Sequence, residues 1–412
     1  MKKTVEWTAP SRVCATCGRK KVLDVDFPEF RPGERRKDCT KCFNGKRRKR
    51  YNGDVEAKPE KAVEETLTPV AEHRLKARVR ELEAHNKKLV EELSEGGEYH
   101  EVIREVLAKQ HEAPAARIKP RERKSGLREG TPLFLASDWH VEEEVKPEQV
   151  AGRNRYNLDI ATKRMEGYFE AVRWNIKAQR QSFKIRDAIG WLGGDFFTNF
   201  LHEDDVENNL LAPLDATLFL QNSLIKGMDF LLEDEEIEQY IFPCNDGNHS
   251  RTTKKMRAAT RSKHSLEVFL YAQLALHYRN EPRMKFILPT SAFTFLDDVY
   301  GRTIRFLHGD VFKYGGGIGG IFVPLMRALG RWEKTKHADL TAMGHWHQRV
   351  CLPDVMVNGS LIGYNAYAMA GGFPFEPPSQ SMRMLDARRW TGPDIPLFFS
   401  DREDDIMNRR AA

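Results

Sequence analysis

Five short apolar runs between residues 131 and 343 each end at a small group of polar residues. The runs cover residues 131–137, 188–192, 239–243, 302–307 and 338–343. Each has the length and composition of a buried strand, with polar residues on the loop that follows. Because loops converge beyond the carboxyl ends of strands in α/β sheets, we expect these polar residues to share one site.

Three longer stretches between these runs repeat apolar residues with a helical period. They cover residues 160–179, 214–232 and 258–278. The alternation of predicted strands and helices indicates the α/β fold class. We expect residues 130–400 to form a single domain of this class.

The polar residues after the five runs are of types that bind divalent metals. They are Asp138, His140, Asp195, Asn248, His249, His308, His345 and His347. Imidazole nitrogens and carboxylate or amide oxygens are ligands that Zn, Mn and Fe accept. Two such metals close together form a clamp for in-line attack on phosphorus, so the pattern predicts phosphoester hydrolysis.

The order of these residues is Asp-x-His, Gly-Asp, Gly-Asn-His, His and Gly-His-x-His. This order resembles the calcineurin-like metallophosphoesterase superfamily, and the resemblance covers roughly residues 131–365. It implies a four-layer α-β-β-α sandwich in which two facing sheets are flanked by helices. It also implies two divalent metal ions, Mn, Fe or Zn, at the active site.

The resemblance implies a role for each residue of the series. The implied ligands of the first metal are Asp138, His140 and His347, and those of the second are Asn248, His308 and His345. Asp195 is implied to bridge the two metals. His249 is implied to stabilise or protonate the leaving oxygen without binding metal.

The positive charge of the chain is concentrated at its amino terminus. The 412 residues carry a net charge of +6. Residues 1–50 hold sixteen Lys or Arg and six Asp or Glu, whereas the remaining residues hold 50 and 54. A basic segment attached to a mildly acidic body predicts a polyanionic partner, and nucleic acid, in particular DNA, is the partner we expect.

Four of the six cysteines lie in this basic segment as two Cys-x-x-Cys pairs. They are Cys14, Cys17, Cys39 and Cys42. Four thiolates at this spacing predict one structural zinc ion in a module at residues 1–51, which is too small to bury much core. The segment resembles zinc beads of phage recombination endonucleases, which suggests a phage or prophage origin.

A run of cations follows the cysteines directly. It consists of Lys46, Arg47, Arg48, Lys49 and Arg50. These side chains are candidates for pairing with successive phosphates, and Arg251, after the third motif, is a candidate for gripping a flanking phosphate. The alternative interpretation is a solvated charge run beside a structural zinc module, and for Arg251 a solvated helix start.

A flexible linker at residues 52–70 precedes a segment at 71–113 with helical composition. Its core positions form two series with a spacing of seven residues, Leu75, Leu82 and Leu89 in one and Val79, Asn86 and Leu93 in the other. The repeat predicts a coiled coil, and an Asn at a core position favours a two-stranded homodimer. One amphipathic helix packed on the catalytic domain is the competing interpretation.

No apolar run is long enough to cross a membrane, and the charged amino terminus has no signal-peptide core. We therefore expect a cytoplasmic protein without a membrane partner, in a bacterial host cell. The leading functional hypothesis is a two-metal phosphodiesterase that cuts DNA. The alternatives are a phosphomonoesterase acting on phosphoprotein or nucleotide, and a DNA-binding scaffold that has lost catalysis.

Overall fold

The computed structural model divides into two compact units, Met1–Glu91 and Glu92–Ala412. It describes residues 116–121, 126–201, 203–313 and 320–398, and the backbone of four short strands before residue 36. The predicted linker at 52–70, the helical segment at 71–113 and the basic run at 46–50 lie outside the described residues. The four predicted zinc ligands, Cys14, Cys17, Cys39 and Cys42, also lie outside them.

The described residues of the first unit form two antiparallel strand pairs. The pairs are β1 (Ser11–Val13) with β2 (Lys20–Val22), and β3 (Glu29–Arg31) with β4 (Glu34–Arg35).

The described part of the second unit contains twelve strands in two sheets. They are β5 (Arg128–Ala136), β6 (Phe183–Lys184), β7 (Asp187–Leu192), β8 (Gln239–Pro243), β9 (Met284–Ile287), β10 (Thr294–Val299), β11 (Arg302–Phe306), β12 (Leu340–Met343), β13 (Val350–Leu352), β14 (Val355–Val357), β15 (Ser379–Asp386) and β16 (Trp390–Phe398). All five strands predicted from the apolar runs are confirmed, as β5, β7, β8, β11 and β12.

The larger sheet has the order β16-β15-β5-β7-β8-β9, and β6 pairs with β5. Strands β5, β7, β8 and β9 are parallel, whereas β15 and β16 extend the sheet in antiparallel fashion. The smaller sheet has the order β10-β11-β12-β14-β13, and β11, β12 and β14 are parallel. The carboxyl ends of β5, β7 and β8 therefore share one edge, and those of β11 and β12 share another.

Six helices accompany the strands in the described residues. They are α1 (Leu158–Gln179), α2 (Glu203–Asn208), α3 (Pro213–Leu232), α4 (Leu266–His277), α5 (Phe322–Trp332) and α6 (Ala366–Ala370). Asn157 caps α1 by accepting a hydrogen bond from the Ile160 amide at 3.0 Å, and α3 begins at Pro213. No helix of the described residues has both the length and the apolar character that a membrane span requires.

Three apolar clusters show how these elements are layered. Along β5, Phe134 belongs to a cluster with helices α1, α3 and α4, whereas Leu133 belongs to a second cluster that also contains Phe306 of the smaller sheet. A third cluster joins the smaller sheet to α5. Because successive side chains of a strand point to opposite faces, the central strands are buried on both sides. The order of layers is helices, larger sheet, smaller sheet and helix, and the class is mixed α/β.

The third predicted helix, at 258–278, is shorter than predicted. Helix α4 begins only at Leu266, after a short 3-10 turn at Arg261–His264. The Arg261 guanidinium turns inward to Asp246 and Asp310, at 2.8 Å from each. Burying this charge with two carboxylates fixes a non-helical backbone here, which the helical period of residues 258–278 does not indicate.

Candidate metal centre

All seven predicted metal ligands lie just after the carboxyl end of a strand. The larger sheet supplies Asp138, His140, Asp195 and Asn248, and the smaller sheet supplies His308, His345 and His347. Six of them form two groups that could each hold a metal ion: Asp138, His140 and His347, and Asp195, His308 and His345. Within each group the potential ligand atoms all lie within 4.8 Å of one another. The structure therefore brings these six predicted ligands together in two groups.

The first group is organised around the fully buried carboxylate of Asp138. Its oxygens accept hydrogen bonds from the His345 amide at 3.0 Å and from the Ser137 hydroxyl at 2.5 Å. His347 Nε2 lies 3.4 Å from Asp138 Oδ1. Burial alone raises the pKa of Asp138, but the hydrogen bond and charge of His347 outweigh it and leave this pKa below the usual 3.8. Burial also holds the pKa of His140 well below 6.5, so that its ring is neutral, as metal binding requires.

The second group is organised around Asp195 and His308. Asp195 Oδ2 lies 2.8 Å from His308 Nε2, while Asp195 Oδ1 accepts a hydrogen bond from the His249 amide at 2.8 Å. The other nitrogen of His308, Nδ1, lies 2.8 Å from the Gly193 carbonyl and must donate to it, which directs Nε2 to the site. Burial lowers the pKa of His308, but the charge and hydrogen bond of Asp195 outweigh it and raise this pKa to about 10. An imidazolium and a divalent cation would thus satisfy the same carboxylate.

Two buried atoms at the site have no hydrogen-bond partner among the described residues. They are Nε2 of His140 and Oδ1 of Asn248. A buried polar atom without a partner costs about 1–3 kcal/mol, so such atoms require an explanation. Each is the atom through which its side chain would bind a metal. The residues therefore fit two divalent cations, and Asn248 lies with the ligand groups although it is outside both triads.

His249 lies beside these groups. Its Nδ1 is 2.9 Å from the Thr198 carbonyl, so Nδ1 carries the hydrogen and the ring orientation is fixed. The rings of His249 and His140 pack edge to face with centroids 5.0 Å apart.

The backbone of the site is unusual, because five predicted ligands have positive φ angles. The angles are 58° at Asp138, 46° at His140, 50° at Asp195, 71° at His345 and 50° at His347. The left-handed region is uncommon for residues other than glycine, and the cost is of order 1–3 kcal/mol for each. Backbone hydrogen bonds between the loops maintain this conformation, among them Asp138 to Gly194 at 3.0 Å and Trp139 to Asp195 at 2.9 Å.

Several residues that support the site were not found from the sequence. Glu267 of α4 is fully buried and accepts hydrogen bonds from the amides of Phe196 at 2.8 Å and Gly247 at 2.7 Å. It thereby ties the Asp195 loop to the Asn248 loop, and burial raises its pKa to about 8. The only sequence signal was a glutamate within an otherwise apolar helical run.

A second buried glutamate supports the loop after β7. Glu142 accepts hydrogen bonds from the amides of Thr198 at 2.9 Å and Asn199 at 2.7 Å. Thr198 in turn places its hydroxyl 2.9 Å from His140 Nδ1. Burial raises the pKa of Glu142 to about 7. These contacts connect residues about 56 positions apart in sequence, so no local pattern indicates them.

The predicted phosphate-gripping residue Arg251 is partly buried, and its guanidinium donates a hydrogen bond to the Asn248 carbonyl. Asn199 Nδ2 donates to the carbonyls of His249 at 2.9 Å and Arg251 at 3.0 Å. The structure therefore places Arg251 next to a predicted ligand and gives it a role in holding that loop. Its predicted contact with nucleic acid stays a prediction.

The ligands open into a cleft of about 270 Å³. Six predicted site residues line it: His140, Asp195, Asn248, His249, His345 and His347. Tyr364, Tyr367, Phe373 and Pro374 also line this cleft and contribute apolar surface. The predicted site is thus accessible to a substrate.

Comparison with known proteins assigns no family. No family model matches the chain, and no curated protein matches it. Among solved structures, the crystal structure of a hypothetical protein from Thermus thermophilus is 12% identical, with a TM-score of 0.23. That similarity covers 65% of this chain and 97% of that chain. A likeness of this size carries no argument about function.

Proposed function

We propose that this chain is a two-metal phosphodiesterase of the calcineurin-like metallophosphoesterase type, which hydrolyses phosphodiester bonds in DNA. The observation that carries the proposal is the pair of adjoining ligand groups, one built on Asp138 and the other on Asp195. The His345 amide, from the second group, donates to the Asp138 carboxylate of the first, so the two groups interlock.

The layering of the described residues supports the proposed four-layer sandwich. Helices pack on the outer face of each sheet, the two sheets share an apolar cluster, and the ligands come from the strand ends of both sheets. This arrangement is what a four-layer α-β-β-α metallophosphoesterase sandwich requires. The proposal rests on the ligand geometry together with this layering.

Each residue has a chemical task in the proposed reaction. Asp138, His140 and His347 would hold one cation, and Asn248, His308 and His345 would hold the other, with Asp195 shared between them. Two bound divalent cations supply Lewis acidity, which neutralises phosphate charge and makes water nucleophilic near neutral pH.

His249 performs the proton chemistry of the proposed reaction. The Thr198 carbonyl fixes the ring, so that Nε2 stabilises or protonates the departing oxygen. Positioned proton transfer of this kind contributes about 10²–10⁴-fold to a rate.

The choice of DNA as substrate rests on the amino-terminal part of the chain. The net positive charge of residues 1–50 and the predicted zinc module suit a polyanion. The proposal includes a homodimer through the segment at 71–113 and a bacterial cytoplasmic location of phage or prophage type. These parts rest on the sequence patterns alone.

The proposal is tested with full-length protein that has been stripped of metal and reloaded with Mn²⁺, Fe²⁺ or Zn²⁺. The substrates are a chromogenic phosphodiester, a chromogenic phosphomonoester, and single- and double-stranded DNA. We expect metal-dependent cleavage of the diester and of DNA. Preference for the monoester would instead identify a phosphomonoesterase, and stoichiometric metal without any turnover would identify a binding scaffold.

Two substitutions test the residue roles in the same assay. Asp195→Ala should reduce diester hydrolysis to the background rate, because both cations lose their shared ligand. His249→Ala should lower kcat by about 10²–10⁴-fold while leaving metal content intact. The exposed His264, on the turn before α4, provides the matched control as His264→Ala. Metal-dependent hydrolysis that survives both Asp195→Ala and His249→Ala would refute the assignment.

A further inference from the structure

The cleft at the metal centre is lined by two chemically different sets of residues. One set contains predicted metal ligands, which with divalent cations bound would attract a phosphate. The other set contains the rings of Tyr364, Tyr367 and Phe373. A ligand that contacts both sets must combine an anionic group with a flat apolar group a short distance away.

Tyr367 is the most accessible ring of this aromatic wall, which we define as Tyr364, Tyr367 and Phe373. Its exposed fraction is 76%, although it is a large aromatic side chain at the mouth of a cleft. The rings of Tyr367 and Phe373 lie 6.0 Å apart at 36° to each other. Exposed aromatic surface beside a polar site is typical of a ligand-binding face.

The aromatic wall is held in a fixed relation to the metal ligands. The Asn154 amide nitrogen donates to the carbonyls of Ile362 at 2.8 Å and Tyr364 at 2.9 Å. Nearby, the Leu361 amide donates to the carbonyl of Asp138 at 3.0 Å. The segment that carries the aromatic wall is therefore hydrogen-bonded, just before its first ring, to a predicted ligand of the first group.

A second connection runs through Asn365, the residue that caps α6. Its Oδ1 accepts from the Ala368 amide at 3.0 Å, and its Nδ2 donates to Glu143 at 3.0 Å. Glu143 also accepts from the hydroxyl of Thr198, whose carbonyl orients His249. The aromatic wall is thus preorganised relative to the groups that would handle the phosphate, which lowers the entropic cost of binding.

We infer that the aromatic wall stacks on an unpaired nucleobase whose neighbouring phosphate lies at the metal ligands, so that the substrate is a single-stranded nucleic acid or a frayed end. This inference rests on the proposed function and specifies its substrate. Bases inside a duplex are stacked on one another and present no face to Tyr367, whereas every unpaired base has a π-face.

The expected size of the effect follows from base–aromatic stacking, which contributes about 1–3 kcal/mol per base. That range corresponds to a roughly 5- to 150-fold change in affinity or in kcat/KM, since about 1.4 kcal/mol is tenfold.

The first experiment measures binding to the metal-loaded protein, with phosphorothioate linkages in both ligands to slow hydrolysis. Fluorescence anisotropy compares a labelled thymidine tetranucleotide with an abasic tetramer of the same charge. We expect the full-length protein to prefer the tetranucleotide, Tyr367→Ala to lose most of that preference, and Tyr367→Phe to keep it. Trp174 is another highly exposed aromatic residue, at 68%, but it lies on α1 away from the cleft lining, so Trp174→Ala should also keep the preference.

The second experiment measures selectivity in turnover. The thymidine 5′-(p-nitrophenyl phosphate) ester and methyl p-nitrophenyl phosphate release the same leaving group and differ only in the nucleoside. We expect Tyr367→Ala to lower the ratio of their kcat/KM values about 5- to 150-fold and Tyr367→Phe to preserve it.

The outcomes separate this inference from the proposed function. Absence of turnover of both esters with every metal would refute the phosphodiesterase proposal, and the binding comparison would still test the stacking. Equal binding of the two tetramers, or a preference that Tyr367→Ala does not change, would overturn the inference even for an active phosphodiesterase.

Discussion

At the scale of single residues, the site depends on backbone conformations that side-chain identity does not reveal. Asp138, Asp195 and His345 adopt positive φ angles, and the loops around them approach so closely that glycine is required in places. At Gly194 the φ angle is +87°, and a Cβ atom would lie 2.2 Å from the Gly247 nitrogen. The conformational cost of the site is therefore offset by contacts between loops.

Gly194→Ala should destabilise the protein and weaken metal binding together. The new methyl group meets backbone, and the φ angle is strained, so we expect a loss of about 2–4 kcal/mol in the free energy of unfolding. The loss is measured by urea denaturation, and metal content is measured on the same samples.

Gly152→Ala is the matched control for that substitution. Gly152 also has a positive φ angle, +75°, but nothing lies within 4 Å of its Cβ position. Gly152→Ala should lower the free energy of unfolding by only about 1 kcal/mol and leave metal content unchanged. Equal effects of the two alanines would show that close approach at Gly194 has no role.

At the scale of elements, the parallel strands explain why distant residues meet. Strands β5, β7 and β8 are adjacent and parallel, so the loops that follow them emerge at one edge. The same holds for β11 and β12 in the smaller sheet. Apolar runs were sufficient to predict these strands. The predicted start of α4 was wrong because the buried Arg261 ion pairs determine where the helix begins. Those pairs involve partners 15 and 49 positions away.

Helix α5 offers a test of local stability away from the site. Gly330 lies near its carboxyl end, is exposed, and has open space at its Cβ position. Gly330→Ala should raise the free energy of unfolding by about 0.5–1 kcal/mol, because alanine loses less backbone entropy in a helix. Urea denaturation measures the change, and diester hydrolysis should match that of the unsubstituted chain. A decrease in stability would contradict the helical assignment here.

At the scale of the whole molecule, the candidate metal centre connects the two sheets. Each ligand group combines residues from both: Asp138 and His140 with His347, and Asp195 with His308 and His345. A cation in either group would therefore join the edges of separate sheets. Because such a cation binds the folded chain and not the unfolded one, its binding must stabilise the folded state.

Metal loading should raise the unfolding temperature of the stripped protein. At a free metal concentration of 100 times Kd, the gain in the free energy of unfolding is about 2.7 kcal/mol. Mn²⁺ or Zn²⁺ should produce this gain. Ca²⁺ should produce a smaller one, because the ligand groups are rich in imidazole rather than oxygen ligands. Calorimetry checks the shift, which the double substitution Asp138→Ala with His308→Ala should remove. If the unfolding temperature of that variant still rises by the same amount, the metal binds at other residues.

The basic run at 46–50 should account for much of the salt dependence of DNA binding. Replacing Lys46, Arg47, Arg48, Lys49 and Arg50 with glutamine in the full-length chain removes five charges. The slope of log K against log salt for a single strand should become shallower by up to about 3.5, since each phosphate contact contributes about 0.7. A slope identical to that of the unsubstituted chain would mean that these cations do not contact phosphate.

The sequence by itself determined the strands, the α/β class and the identity of the residues that converge, because buried strands and metal-binding side chains leave local patterns. Tertiary structure alone decided the left-handed backbone at the ligands, the buried supports Glu142 and Glu267, and the aromatic wall that lines the same cleft as the ligands. These features depend on contacts between loops far apart in the chain, such as Glu142 with Asn199 and Glu267 with Gly247. Neither member of such a pair carries a local signal of the other, so only the folded arrangement reveals them.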